Sequence, residues 1–183
     1  MDSTHTPAAL FGLFPDSLND AILEFRQRHL KEMHLEDSEN ILTLPHFTIS
    51  WNPDFDFKQS DALRGLIERR EFPPVTLEVL EIKQSGNDIA IFFDVDKTKL
   101  WVREISDVSE SVGMDVVYTN QIKLLKTAIV AGNETTLIHE LEQLLPKRIE
   151  IKTLGFGGKL LRNEDLVWKV SLTGDYLKVR LKL

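Results

Sequence analysis

The sequence predicts an α+β protein of two similar lobes, each with an antiparallel sheet lining a central cleft and helices outside. Three observations support this fold class. Segments that alternate like strands are interspersed with segments of helical periodicity along the 183 residues. The order long helix, strand, short helix, hairpin occurs twice, which indicates an internal repeat. The apolar content of 42% is ordinary for a globular protein with a core.

The first lobe is expected to begin with a buried strand and a long helix. Asp16 or Ser17 caps this helix, because short oxygen-bearing side chains accept hydrogen bonds from first-turn amides. Residues 51–54, with their proline and asparagine, are expected to end the second strand, and residues 55–59 to form a linker. The predicted elements are a strand at 8–14, the long helix, a strand at 42–50, a helix at 61–69 and a hairpin of 75–82 with 89–95.

The second lobe is expected to repeat this order. The predicted elements are a helix at 99–112 closed by Gly113, extended segments at 116–118 and 122–131, a helix at 135–144 and strands at 148–154, 167–172 and 177–183. Glycines at 155–158 predict a turn without phosphate-loop spacing. We therefore expect a single bilobal domain over residues 1–183. Lobe one covers about 36–96 with the strand and helix at 8–35, and lobe two covers about 97–183.

Charge and composition exclude several classes of function. A net charge of −7 argues against binding long double-stranded nucleic acid, because that binding depends on positive charge. The chain has no cysteine, which excludes disulfides, thiolate metal ligands and a cysteine nucleophile. No apolar run approaches membrane-spanning length, and the first residues lack the pattern of a signal peptide. We expect a cytoplasmic monomer that does not bind membranes.

The strand at residues 42–50 contains the most informative pattern in the chain. Alternation places His46 and Thr48 on one face and Phe47 and Ile49 on the other. The apolar pair packs on a core, so the polar pair faces a cleft, solvent or a partner. A titratable imidazole beside a hydroxyl donor suits an anionic substrate such as a phosphoryl group. A surface strand with two ordinary polar residues also fits the tetrad, and the tetrad alone favours that interpretation.

The order of the elements along the chain changes the balance between the functional interpretation and the surface-strand interpretation. Leu44-Pro45-His46-Phe47-Thr48-Ile49 resembles the first His-x-Thr-x tetrad of the 2H phosphoesterase superfamily, which includes 2′-5′ RNA ligase-like proteins and cyclic phosphodiesterases. Residues 10–15 and the following helix resemble the family's opening strand and helix. Members carry two such tetrads, one in each lobe, facing each other across the cleft. The tetrad in its expected place favours the functional interpretation.

The second tetrad is degenerate, because residues 124–130 contain no histidine. One register aligns Lys126 with the family's histidine and Ala128 with its threonine, and turns Thr127 towards the core. The other aligns Leu125 and Thr127 with the pair and buries Lys126. We prefer the first register, because burying an unpaired lysine is costly.

The resemblance implies in-line attack on a 2′,3′-cyclic phosphate or a 2′-5′ linkage in a small nucleotide or short RNA end. His46 would act as general base or acid, and Thr48 would hold phosphate oxygens, with Lys126 as a further phosphate ligand. No cofactor and no metal is implied, and the five histidines show no ligand spacing. Whether the chain is an active phosphodiesterase stays open. The alternatives are a catalytically inactive nucleotide- or RNA-binding module that keeps the cleft, and a structural protein with a chance tetrad.

Overall fold

The computed structural model describes residues 5–32, 43–117, 119–125, 133–158 and 166–174. These ranges contain four α-helices and nine β-strands. The strands are β1 His5–Leu13, β2 His46–Asp56, β3 Val75–Ser85, β4 Asp88–Phe93, β5 Asp115–Val116, β6 Gln121–Leu125, β7 Arg148–Ile151, β8 Thr153–Gly157 and β9 Leu166–Ser171. The helices are α1 Asp16–Glu32, α2 Ser60–Arg70, α3 Lys99–Glu110 and α4 Glu134–Leu144, with a 3₁₀ turn at Phe57–Gln59. The strand predicted at 177–183 lies outside the described residues.

The strands form two antiparallel sheets. A five-stranded sheet has the order β5-β2-β1-β8-β9, and a four-stranded sheet has the order β6-β4-β3-β7. Helices α2 and α3 pack against strands of the five-stranded sheet, and α4 packs against β3 of the other. The predicted fold class, two antiparallel sheets around a cleft with helices outside, is confirmed. Each sheet takes strands from both sides of the lobe boundary expected near residue 96, since β8 pairs with β1 and β7 pairs with β3.

One hydrophobic core joins both sheets, because each sheet buries alternate residues. Phe47 of β2 meets Phe93 of β4 edge to face, with ring centroids 5.2 Å apart. Trp101 of α3 is fully buried, and its indole N–H donates a 2.8 Å hydrogen bond to the carbonyl of Pro73. No helix in the described ranges is long and apolar enough to cross a membrane.

The single strand predicted at 148–154 is wrong, because the chain changes sheets there. Strand β7 pairs with β3, β8 pairs with β1, and only Lys152 separates them. The glycine turn predicted at 155–158 is also wrong, since Gly155 lies inside β8. A Cβ on Gly155 would come within 2.9 Å of Cδ1 of Leu13, so this close approach of two strands requires glycine.

Strand β2 continues past the expected break at residues 51–54 and through part of the predicted linker at 55–59. Its pairing with β1 shifts here, from Ala8 opposite Asn52 to Thr6 opposite Phe55. Pro53 therefore lies in an irregular stretch of the ladder, where a missing N–H costs little. Phe55 holds this extension in place because its side chain is buried.

Glu140 of α4 connects this helix to α1. Its carboxylate lies 2.9 Å from Nε2 of His29 and accepts a 2.9 Å hydrogen bond from Nη2 of Arg28. The imidazole packs on the ring of Phe25, with centroids 4.5 Å apart. The hydrogen bond with His29 and the charges of His29 and Arg28 outweigh desolvation and lower the pKa of Glu140 below its ordinary value.

Replacing Glu140 with glutamine should remove a pH-dependent contribution to stability. A carboxylate with a lowered folded-state pKa stabilises the fold above its unfolded-state pKa of about 4.3, and this stabilisation is lost as pH falls through the folded-state value. After allowance for solvent screening, Glu140→Gln should lower the free energy of unfolding by about 0.5 kcal/mol at neutral pH, and the difference should vanish in acid. Urea titrations at several pH values measure this, with the exposed Glu142→Gln as control. A difference that is independent of pH would contradict it.

Candidate active site

His46 and Thr48 lie on one face of β2, while Phe47 and Ile49 are buried beneath them. Across the ladder, His46 pairs with Leu13 of β1. The imidazole stands edge-on to the ring of Phe11, with centroids 4.7 Å apart and planes at 76°. We call the surface that bears His46 and Thr48 the cleft face of the five-stranded sheet. The alternation expected of this strand therefore places a titratable group and a hydroxyl side by side.

The orientation of the imidazole is set by a backbone contact. Nδ1 of His46 lies 2.7 Å from the carbonyl oxygen of Leu44. A carbonyl oxygen only accepts, so Nδ1 carries a proton and donates it in this bond. In the neutral imidazole the other nitrogen, Nε2, is then the acceptor and the basic site. This arrangement suits His46 for taking a proton from a water molecule or a hydroxyl group.

The cleft face continues from β2 across β1 to β8 and β9. Thr48 pairs with Phe11, Phe11 with Gly155, and Gly155 with Lys169. Directly paired residues point to the same face, so Lys169 lies in the same row as Thr48. The sequence analysis did not identify Lys169 as a site residue. The signal was the alternation of the strand predicted at 167–172, which turns Lys169 to the face opposite to that of its buried neighbours in the strand.

A cavity of about 280 Å³ opens beside the row of His46. Leu13 and Leu44 line it, and both also contact His46 through the ladder and the Nδ1 hydrogen bond. Its charged lining residues are Lys152, Lys169, Asp16 and Glu150, and Nζ of Lys152 lies 2.9 Å from Oε2 of Glu150. The surroundings of His46 therefore combine apolar surface with two basic and two acidic side chains.

Strand β6 repeats the burial pattern of the His46 tetrad in the other sheet. Ile122 and Leu124 are buried, while Gln121 is half-buried and Lys123 is exposed. Because side chains alternate along a strand, Gln121 and Lys123 lie on the face opposite to Ile122 and Leu124. Oε1 of Gln121 accepts a 2.9 Å hydrogen bond from Ser85. Nζ of Lys123 lies 2.5 Å from Oδ2 of Asp88.

The residues predicted for the second half-site, Lys126 and Ala128, lie outside the described residues. The choice between the two registers therefore stays a prediction. Gln121 and Lys123 precede residues 124–130, where the second tetrad is predicted, so the sequence analysis does not include them. The signal was present, since an alternation of polar and apolar residues begins at Gln121.

Arg26 of α1 connects the two strands that bear these residues. Its side chain is 2% exposed and donates hydrogen bonds to the backbone carbonyls of Thr43 and Leu124. Thr43 precedes His46 at the entry to β2, and Leu124 lies in β6. Burial lowers the pKa of Arg26 to about 10, so the guanidinium stays protonated at neutral pH. One helix residue thus fixes the position of both strands.

Arg26→Met should be strongly destabilising, because two buried carbonyls would lose a charged donor. We expect the free energy of unfolding to fall by about 3 kcal/mol, since each hydrogen bond to a charged group contributes about 1.5–3 kcal/mol. Arg28→Met is the matched control on the same helix, because Arg28 is exposed and its ion pair with Glu140 contributes about 0.5 kcal/mol. Chemical denaturation followed by circular dichroism measures both. Equal losses in the two variants would show that the buried contacts add nothing.

Among the residues that the structure describes, no three histidine, aspartate or glutamate side chains lie close enough to hold a metal ion. The expectation of chemistry without a metal stays a prediction for the whole chain.

Comparisons with known proteins support the fold. No protein-family profile and no curated protein sequence matches this chain. Among solved structures, E. coli LigT in its apo form is similar, with a TM-score of 0.58 and 13% identity over 93% of this chain and 99% of that chain. LigT complexed with 3′-AMP has a TM-score of 0.57 and 14% identity over the same shares. A structure described as a phosphoesterase also has a TM-score of 0.57, at 13% identity. The predicted resemblance is confirmed at the level of the fold, since this chain has the fold of E. coli LigT.

Proposed function

We propose that this chain is a 2H-type phosphoesterase that binds the phosphate of a small nucleotide or RNA end at His46 and Thr48 and turns it over slowly. The observation that carries the proposal is the hydrogen bond from Nδ1 of His46 to the carbonyl of Leu44, which makes Nε2 the basic nitrogen of the neutral imidazole, on the strand face that His46 shares with Thr48. The fold adds support, because E. coli LigT has been crystallised with 3′-AMP, ATP and NADP+.

The proposed reaction is hydrolysis of a 2′,3′-cyclic phosphate or a 2′-5′ linkage. Nε2 of His46 takes a proton from a water molecule, whose oxygen bonds to phosphorus. The bond from phosphorus to the ribose oxygen on the far side breaks, that oxygen takes up a proton from solvent water, and the protonated His46 returns its proton to solvent. Thr48 donates a hydrogen bond to a phosphate oxygen. Lys126 stays the sequence prediction for a second phosphate ligand.

The slow rate follows from the lack of a second histidine in the described part of β6. A second histidine would deliver the proton to the leaving oxygen, and the described part of β6 offers Gln121 and Lys123 instead. Glutamine does not titrate, and the ammonium of Lys123 forms an ion pair with the carboxylate of Asp88. The same observation favours the alternative, a binding module that keeps the cleft without turnover. Under either hypothesis the ligand is an anionic nucleotide.

The test is to measure binding and hydrolysis in parallel. We would titrate the protein with 2′,3′-cyclic AMP and a short 2′-5′ oligoadenylate and follow product formation with and without a chelator. We expect binding together with slow hydrolysis that the chelator leaves unchanged. Binding without products would establish the binding module. Failure to bind either ligand would overturn the proposal and leave the tetrad as a structural coincidence.

The cytoplasmic location, the monomeric state and the RNA end as ligand stay predictions. Size-exclusion chromatography with light scattering checks the monomer directly.

A further inference from the structure

The proposed chemistry does not use the cavity of about 280 Å³ beside the row of His46. The cavity begins next to His46, because its lining includes Leu13, the ladder partner of His46, and Leu44, whose carbonyl oxygen lies 2.7 Å from Nδ1. It extends to Thr153 of β8 and Lys169 of β9. A ligand whose phosphate lies at His46 can therefore continue into this cavity.

The sheet side of the cavity offers hydrogen-bond donors. Thr153 pairs with Leu13 and so lies in the row of His46, two strands away, which is about 10 Å at roughly 4.8 Å per strand. Thr153 is half-buried, and its hydroxyl makes no hydrogen bond to any residue in the described ranges. The ammonium of Lys169, an exposed residue of the adjacent strand, lines the same cavity. A hydroxyl and an ammonium group together suit a phosphate.

The helix side of the cavity offers hydrogen-bond acceptors. Asp16 and Asn19 in the first turn of α1 line it. Asn19 is 5% exposed, and its Nδ2 donates a 3.0 Å hydrogen bond to the carbonyl of Phe14. Oδ1 of Asn19 is buried and has no hydrogen-bond partner among the residues that the structure describes. A buried acceptor without a partner is costly, so a donor from a bound ligand would stabilise this site.

The other charges of the cavity leave this polarity in place. Nζ of Lys152 lies 2.9 Å from Oε2 of Glu150, so these two charges compensate each other. Asp16 repels a phosphate at the helix side, which leaves the phosphate to Thr153 and Lys169. The acceptors on the helix side suit the hydroxyl groups of a sugar. Ribose phosphate supplies both kinds of group within one nucleotide.

We propose that this cavity binds the ribonucleotide next to the scissile phosphate. The phosphate that links the two nucleotides lies at Thr153 and Lys169, and the 2′-hydroxyl of the neighbouring ribose donates to Oδ1 of Asn19. This inference rests on the proposed function and names the substrate class, an RNA end of at least two nucleotides. A 2′,3′-cyclic mononucleotide has one phosphate and leaves the cavity unused. A deoxyribose lacks the hydroxyl by which a protein distinguishes RNA from DNA.

Binding titrations with three ligands test the inference. The ligands are 2′,3′-cyclic AMP, the dinucleotide ApA ending in a 2′,3′-cyclic phosphate, and the same dinucleotide with 2′-deoxyribose in its first nucleotide. The wild-type protein should bind the ribose dinucleotide about 10- to 100-fold more tightly than 2′,3′-cyclic AMP. The deoxyribose dinucleotide should bind about 3- to 10-fold more weakly than the ribose dinucleotide, because it lacks one hydrogen bond.

Three variants assign the contacts. Thr153→Val and Lys169→Met should each lower the preference for the dinucleotide over 2′,3′-cyclic AMP by about 10-fold. Asn19→Leu should remove the discrimination between ribose and deoxyribose, and the deoxyribose ligand tests the same contact in the wild-type protein if that variant does not fold. Lys97→Met is the matched control, since it removes the same charge and the ammonium of Lys97 pairs with Glu78 of the other sheet.

The outcomes separate this inference from the proposed function. If the dinucleotide and 2′,3′-cyclic AMP bind with equal Kd, the cavity does not bind a second nucleotide, while the phosphate site at His46 stands. A preference for the dinucleotide that persists in Thr153→Val and Lys169→Met, or equal Kd for the ribose and deoxyribose dinucleotides, would also overturn the inference. If the dinucleotide binds through Thr153 and Lys169 but His46→Ala hydrolyses it at the wild-type rate, the cavity stands and the proposed role of His46 fails. If none of the three ligands binds, both proposals fail.

Discussion

His46→Ala lowers the turnover of 2′,3′-cyclic AMP by about 10²–10⁴-fold, which is the typical contribution of one positioned general base or acid. The reason is that Nε2 of His46 is the basic nitrogen that the hydrogen bond to Leu44 directs away from the backbone. The loss should appear mainly in kcat, because Thr48 would still donate its hydrogen bond to the phosphate. Steady-state kinetics with the cyclic nucleotide measures it.

The matched control is His139→Ala. His139 is an exposed histidine of α4, and the ring lies near Glu142 of the same helix. It should leave kcat and KM within about threefold of the wild-type values, because surface substitutions change little. If His46→Ala retains wild-type turnover, another group supplies the base, and the role assigned to His46 is wrong.

The second large effect is a gain of activity. Gln121→His combined with Lys123→Thr should raise turnover by about 10²-fold or more, because it would supply a second proton-transfer group and a second hydroxyl. The expectation depends on the burial pattern of β6, in which Gln121 and Lys123 alternate with buried residues as His46 and Thr48 do in β2. Single-turnover assays with 2′,3′-cyclic AMP measure the change.

The competing double substitution, Lys126→His with Ala128→Thr, tests the register predicted from the sequence. The pair that raises turnover identifies the second half-site, so the two variants act as controls for each other. If neither pair raises turnover while nucleotide binding persists, the chain is a binding module, and the geometry of the cleft no longer supports catalysis.

Local patterns in the sequence predicted most of the elements that position the site. In β2, the buried Phe47 and Ile49 alternate with His46 and Thr48, and this pattern alone placed the polar pair on one face. Burial sets such a pattern wherever one face of a strand packs on a core. The core strands and helices could therefore be predicted without knowing which strands pair with each other.

The change of sheet at Lys152 was missed because periodicity does not show which strand is the partner. A signal was nevertheless present. The buried residues before Lys152 are at odd-numbered positions, Ile149 and Ile151, and those after it are at even-numbered positions, Leu154 and Phe156. A reversal of the apolar phase within one extended segment marks a place where the chain turns its other side to the core.

The contacts of Arg26 could not be predicted from local sequence. The two carbonyls that it binds lie 17 and 98 residues away in the chain. An arginine in an amphipathic helix is ordinarily solvent-exposed, since buried arginines are rare unless they are paired. Only the tertiary fold reveals that this one holds two strands together.

The direct succession of β7 and β8 also bears on how the cleft can move. Strands β7 and β8 belong to different sheets and are joined through Lys152 alone. The backbone at this residue therefore links the two sheets directly. Opening the cleft would strain hydrogen-bonded ladders on both sides of that residue at once. We therefore expect the width of the cleft to be fixed, so that it selects ligands by size. Enzymes with flexible domains differ, because their domains close around the bound ligand.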